Sequence, residues 1–529
     1  MDDAERAVRS YRLAGRFLRA AAGDLETSDA RRHWPLREHH APARVGGGVD
    51  VVDIMQLRIM LACIMKFIDR SEELARLVAL GADAEGGLAV VYGRRRIGKT
   101  RLLVEWCRRH DGVYAVADQS AAEVQRRYLA EALAVRFPGF ADVTYRDWSG
   151  LLTRLGREAR HAGWRGPIVF DELPYWIATS PELPSVLQRW LDHDARAAGL
   201  VVAVAGSSQR MMQGLALDHD APLYGRARAL FEVRSLEVSY VQEAIGDVPP
   251  ASQLEFYAAW GGVPRYWELA ASEGGDVTAG LTRLVLDPQG PLHREPDRLL
   301  LEELPAAMEV RPVLDAIGAG AHRVSEIAGR LGRPATSMAR PLERLIELGL
   351  AVREVPFGEP PRSSKRSLYR IADPFTRMWF RVVAPHRAEL VTGSARSRAA
   401  LLGRHWPGLV ASTWEDLCRQ RLPRIVHPRL GEAGDWKPGG RWWSGAAPEW
   451  DVIAEDVAER RLLLGEAKRS SRDLHADAAA LASRPMPVLP ARFARHLVTR
   501  ALFVPEAPPR TRAVGDIAVV TARDLFRRG

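Results

Sequence analysis

Residues 88–100 read Leu-Ala-Val-Val-Tyr-Gly-Arg-Arg-Arg-Ile-Gly-Lys-Thr, an apolar run that feeds a glycine-framed loop ending in Lys-Thr. This pattern predicts a buried strand, a tight loop and a helix that starts at Lys99. Gly93 and Gly98 let the loop curl so that the backbone N–H groups of Arg94, Arg95, Arg96 and Ile97 point inward at phosphate oxygens. Lys99 supplies positive charge, Thr100 offers a hydroxyl to magnesium, and the helix turns its positive dipole end to the same ligand. The expected ligand is a nucleotide, ATP with Mg2+.

Short β-rich runs alternate with helical stretches after this loop: 88–92, 113–117, 167–170, 200–205 and 230–233. That order predicts an α/β fold with a parallel sheet covered by helices on both faces. The run Ile168-Val-Phe-Asp171-Glu172 delivers two acids to a strand's carboxyl end, where such sheets bind ligands. Asp171 is the expected partner of the magnesium shell, and Glu172 the residue that orients and deprotonates the attacking water. At the end of the next run, Ser207 offers a hydroxyl to the γ-phosphate or simply terminates the strand. Arg226 in Pro222-Leu-Tyr-Gly-Arg226 is either structural or a phosphate-seeking arginine, acting in its own subunit or on a neighbour.

The chain has 529 residues, enough for several domains. Of 75 basic residues only five are lysines, at 66, 99, 365, 437 and 468, so lysine stands out where it falls inside a motif, as Lys99 and Lys468 do. A net charge of +9 favours an anionic partner such as nucleic acid or an acidic membrane surface. Cysteines 63, 107 and 418 have no metal-ligand spacing and cannot form a disulfide framework, which points to a reducing cytoplasm. The apolar stretch 54–68 is interrupted by Arg58 and Lys66 and falls short of the ~20 residues needed to span a bilayer.

Five regions are expected. Residues 1–64 read as a weakly ordered extension, with Met65 as a candidate true start; 65–235 as the nucleotide-binding core, opening with a helix over 72–80 capped by Asp69 or Ser71; and 236–305 as a helical lid. Residues 306–372 read as three helices and a hairpin, the pattern of a winged helix-turn-helix, with Ser337, Arg340 and Arg344 on the recognition helix and Arg362, Lys365 and Arg366 in the wing. DNA contact or plain packing are both open to it. Residues 373–529 read as a second α/β domain with strands near 441–443, 448–454 and 461–464.

The chain resembles the archaeal-type P-loop ATPases, a prokaryotic branch of the AAA+ and STAND-related class. The resemblance rests on Phe67-Ile-Asp-Arg-Ser-Glu-Glu-Leu74, the loop 93–100, Phe170-Asp-Glu-Leu-Pro-Tyr175, Gly206-Ser-Ser208, Pro222–Arg226 and Gly261-Gly-Val-Pro-Arg-Tyr266. It implies ATP hydrolysis and a nucleotide contact by Pro264, with Arg265 beside it. Many members carry a C-terminal domain of unknown function, entered here at Tyr369–Phe380, that is similar to the restriction-endonuclease-like fold. Such a fold pairs an Asp with a Glu-x-Lys on the next strand, matched here by Asp451 and by Glu466-Ala-Lys468. Asp451 and Glu466 would share a divalent metal, Lys468 would assist an attacking water, and Glu415 is a further candidate acid.

Two functions follow as expectations. One is an ATP-dependent switch that binds DNA, with magnesium-dependent cleavage and homo-oligomer formation both open to it; the other is a regulatory or scaffolding ATPase whose inactive nuclease-like domain binds protein partners.

Overall fold

The computed structural model describes residues 67–528 except 84, 304–306, 361–365, 446, 457 and 459. The extension expected over 1–64, the start at Met65, and the wing residues Arg362 and Lys365 lie outside the described residues.

The first helix, α1 (Ser71–Gly81), precedes β1 (Gly87–Tyr92), whose interior is wholly buried, and α2 (Lys99–Arg109) follows the loop. With β2 (Val113–Val116), β3 (Ile168–Asp171), β4 (Val201–Gly206) and β5 (Ala227–Glu232), β1 forms a parallel sheet in the order β2-β3-β4-β1-β5. Alternation along each strand sorts side chains between two cores. Leu88, Val90, Val202 and Val204 face one helical layer, while Ala89, Val91, Ala203 and Ala205 face the other.

The expected cap of α1 is absent. Residue 70 precedes the helix in a left-handed conformation (φ 74°) with no side-chain cap. Asp69 is likewise left-handed (φ 59°). This turn drives the Arg70 side chain inward, where it donates to the carbonyls of Ile97 at 2.9 Å and Arg234 at 2.6 Å.

Behind the sheet lie lid helices, among them α3 (Pro250–Trp260) and α4 (Pro264–Ala271). Then come α5 (Ala307–Gly318), α6 (Val324–Arg330) and α7 (Ala339–Glu347), and the antiparallel hairpin β6 (Ala351–Glu354) with β7 (Leu368–Ile371). Ser337 falls just before α7 rather than on it, and its hydroxyl donates to Pro334 O at 2.7 Å. Arg366 of the wing pairs with Glu359.

The long helix α8 (Ala395–Gln420) leads into a second sheet of β8 (Gly440–Ser444), β9 (Ala447–Asp456), β10 (Arg461–Ala467), β11 (Leu497–Val504), β12 (Ala513–Val514) and β13 (Ile517–Thr521), with α9 (Leu474–Ser483) crossing between β10 and β11. Its order is β12-β13-β11-β10-β9-β8, with an antiparallel β8-β9-β10 meander and β11 and β13 parallel to β10 and to each other. Three of these strands match the runs read from sequence.

The cores do not respect the expected boundaries. One continuous apolar cluster runs from α1 through the lid and the three-helix unit to α8 and one face of the second sheet, joining Leu77, Trp260, Leu314, Trp414 and Phe503. Aromatic contacts carry the junction: Phe375 lies 4.4 Å from Tyr266 and 6.4 Å from Trp260 between ring centroids. Such packing ties the lid to the C-terminal half as firmly as to its own sheet.

Candidate functional site

The strand register brings three chain segments to one edge of the first sheet. Tyr92 pairs with Gly206 and Val116 with Asp171, so Gly93, Glu172 and Ser207 emerge side by side at the carboxyl ends of β1, β3 and β4. Gly93 has φ 151°, and a Cβ there would stand 2.5 Å from Val233 O, which restricts the position to glycine. Gly98 (φ 97°) and, unusually for a side-chain residue, Arg96 (φ 63°) are left-handed. These turns fold the loop around the Lys99 ammonium, which is buried and donates to Gly93 O at 2.7 Å and Arg94 O at 3.1 Å.

Asp171 is fully buried and fixed by three donors: the Thr100 hydroxyl at 2.8 Å, the Tyr114 hydroxyl at 2.7 Å and the Glu172 N–H at 2.8 Å. Burial and the adjacent Asp171 push the Tyr114 phenol well above its ordinary range, so it remains a donor. Thr100 and Asp171 thus stand together as a hydroxyl and a carboxylate suited to a magnesium ion held by nucleotide phosphates. Glu172 is also left-handed (φ 52°), a conformation that costs about 1–3 kcal/mol and concentrates at functional sites. Its carboxylate accepts from the Ser207 hydroxyl at 3.2 Å. Burial, then Asp171, raises its pKa, only partly countered by Lys99, Arg95 and Ser207. A carboxylate shifted toward neutrality is better matched to taking a proton from water.

The loop arginines divide their side chains. Arg95 acts on Glu172, Arg94 lines a separate cavity with Tyr257 and Asp416, and Arg96 pairs with the buried Glu295, which also accepts from Tyr266 at 3.2 Å. The side chains of Arg94 and Arg96 are thus directed away from the loop's interior, leaving its backbone N–H groups as their expected contribution. Arg226 sits at the opposite edge of the sheet, just before β5, where it forms a fork with Asp192 at 2.9 Å. That position lies at the end of the sheet away from the phosphate loop, because Arg226 precedes the first residue of a strand parallel to β1.

Beside Gly98 lies a mainly apolar pocket of about 220 Å³ lined by Phe67, Ile68, Leu236, Ala244, Pro264 and Trp267. Its walls suit the flat face of a nucleobase, continuous with the phosphate loop. Pro264, expected to contact the nucleotide, lines this pocket, whereas Arg265 pairs with Glu268 on its own helix at 3.1 Å. Phe67, Ile68 and Trp267 went unassigned because no local spacing links residues some two hundred positions apart; the Phe67–Leu74 motif was the available signal.

The second sheet gathers another carboxylate group. Asp451 on β9 accepts from the Ala467 N–H at 3.0 Å, and Glu466 on β10 pairs with Lys468 at 3.1 Å. Arg419 of α8 donates to Asp451 O at 2.8 Å and approaches Glu415 at 3.8 Å. Burial, then Glu466 and Glu415, pushes the Asp451 pKa up to about 7. Burial also works against ionisation of Glu466, but Arg484, paired to it at 2.5 Å, and Lys468 outweigh that and hold its carboxyl below the ordinary range. The expected shared metal is a poor fit to this arrangement. Glu466 already has two cationic partners, Lys468 and Arg484, whose charges compete with a metal ion for its carboxylate. Among the described residues, no helix is long and apolar enough to cross a membrane.

Residues 67–268 match an ATPase domain found predominantly in Archaea, and residues 379–479 match a domain of archaeal and bacterial proteins of unknown function. An uncharacterized protein of Methanocaldococcus jannaschii is 27% identical over 328 residues, covering 62% of this chain and 71% of that protein. Among solved structures, a Walker-type ATPase of Pyrococcus abyssi aligns with 60% of this chain and 96% of its own at 20% identity and a TM-score of 0.48. The ORC2 protein of Aeropyrum pernix, in ADPNP and ADP complexes, aligns with 68% of this chain and 94% of its own at 14% identity and a TM-score of 0.41.

Proposed function

We propose that the protein is an ATP-dependent switch that engages DNA through its C-terminal half, a reading supported by the match of residues 67–268 to an ATPase domain found predominantly in Archaea. The observation that carries the nucleotide part is the joint placement of Lys99, Thr100, Asp171 and Glu172 at one sheet edge. In this reading the loop N–H groups and Lys99 hold the phosphates, and Thr100 and Asp171 hold magnesium, which would supply charge neutralisation at the phosphates. Glu172 orients water for hydrolysis, and Ser207 positions Glu172. Arg226 is then available to a neighbouring subunit.

The switch works through contacts already in place. Glu237, just after the carbonyl that Arg70 holds, pairs with Arg421 and, at 2.6 Å, with Arg424 beyond α8. A nucleotide-driven shift of the lid is thereby transmitted to the second sheet. We read residues 306–372 as a winged helix and the αβββαβ run from α8 to β11 as restriction-endonuclease-like in shape. Arg484 and Lys468 on Glu466 favour a C-terminal domain that binds without cutting. Cleavage of plasmid DNA with magnesium or manganese, with and without ATP, tests this. Absence of cleavage in wild type and Lys468→Ala alike is expected, and metal-dependent cleavage lost in Lys468→Ala would restore the nuclease reading.

A further inference from the structure

A cleft of about 480 Å³ lies between the end of α5, the hairpin strand β7, α8 and β8. Five arginines (370, 377, 381, 404 and 441) line it with one carboxylate, Glu415, while Glu354, Asp416, Glu389 and Glu449 stand behind the lining as ion-pair partners of all but Arg381. Arg441 is paired with Glu449 at 2.5 Å, and the other four arginines fall into two classes. Arg370 and Arg377 are buried or nearly so and converge on Asp416 at 2.9 and 2.6 Å, so their positions are rigid. Arg381 and Arg404 sit at the exposed rim, where Arg381 donates to Gly318 O at 3.3 Å and Arg404 meets the exposed Glu389 at 3.3 Å. Rim pairs of this exposed kind are worth little and exchange readily for a stronger anion.

The wall between them is shaped by absence of side chains. Gly408, inside the 26-residue helix α8, lines the cleft, and a Cβ there would meet no atom within 4 Å. A glycine at such a position costs about 0.5–1 kcal/mol relative to alanine, and packing gives no reason for it. Close approach of a ligand backbone does. Inward, the cleft ends at Glu415, which Arg419 connects to Asp451. The presumptive recognition helix α7 makes a weaker case for anion binding, since Glu343 and Glu347 share its surface with Arg340 and Arg344.

We propose that this cleft, rather than α7, is the track for a DNA phosphodiester backbone, with Arg381 and Arg404 as the entry contacts and Gly408 as the point of closest approach. The proposal rests on the DNA-engaging reading above and specifies its site. Ion-paired inner arginines and exposed rim arginines would contact successive phosphates, which position a strand without reading its sequence.

The test is fluorescence anisotropy of labelled single-stranded and duplex oligonucleotides with the full chain over a salt series, in ATP and ADP. Arg381→Ala/Arg404→Ala should bind about tenfold more weakly or worse, with a log affinity against log salt slope shallower by about two. Gly408→Leu, whose side chain enters open space, should weaken binding without lowering the thermal melt. Arg340→Ala/Arg344→Ala should retain most of the affinity. Wild-type affinity in the cleft variants together with loss in the α7 variant would overturn the cleft and leave the DNA reading intact. Absence of DNA binding by wild type in both nucleotide states would remove both.

Discussion

At the tip of β3, Asp171 and Glu172 face the hydroxyls of Thr100, Tyr114 and Ser207, whereas in the second sheet Glu466 on β10 faces the cations of Arg484 and Lys468, and the Asp451 carboxyl on β9 accepts from the Ala467 N–H. Both pairs are acids at the edge of a sheet, and both include one carboxylate whose pKa burial raises. The partners differ in kind. Hydroxyl donors orient a carboxylate and leave its charge in place for a cation, while guanidinium and ammonium groups use that charge up. Motif spacing alone makes the two sites look equally catalytic; the surroundings separate an open site from a neutralised one.

The largest expected effect is on the open site: Lys99→Ala abolishes ATP binding, measured by equilibrium dialysis, and wild-type affinity would contradict the assignment. At the neutralised site, Arg484→Ala removes one of the two cations on Glu466. Manganese should then raise the melting temperature of the variant and leave that of wild type unmoved. Equal responses would erase the contrast between the sites.

Asp451 gives a pH-dependent form of the same contrast. Its folded pKa, about 7, lies above the ~3.9 of an unfolded aspartate, so the folded state binds more protons between those values and stability falls as pH rises through that window. Asp451→Asn should therefore stabilise the protein at pH 8, with the gain vanishing toward pH 4; a destabilised variant at pH 8 would place a needed charge there. The smallest effect is expected from Tyr114→Phe, which leaves Asp171 with two of its donors and costs about 0.5–1.5 kcal/mol in chemical denaturation.

The loop, the strand carrying Asp171 and Glu172, and the hairpin at 351–371 were legible because each is a local pattern. What escaped was non-local. Strands β11 and β13 are parallel and buried on both faces, so Leu502, Phe503, Val519 and Val520 show no alternation to read. Arg70 reads as a surface charge before a helix, and only two successive left-handed residues turn it into the loop's support. Arg484 is one of 70 arginines, and nothing in its neighbours announces that it closes on Glu466.

The most direct test of the open site is ATP turnover by Glu172→Gln, which keeps the size and the Ser207 contact but removes the proton acceptor. Turnover should fall by about 10²- to 10⁴-fold while ATP binding persists. Turnover equal to wild type would show that Glu172 does not carry the hydrolysis and that the reading of the first sheet's edge is wrong.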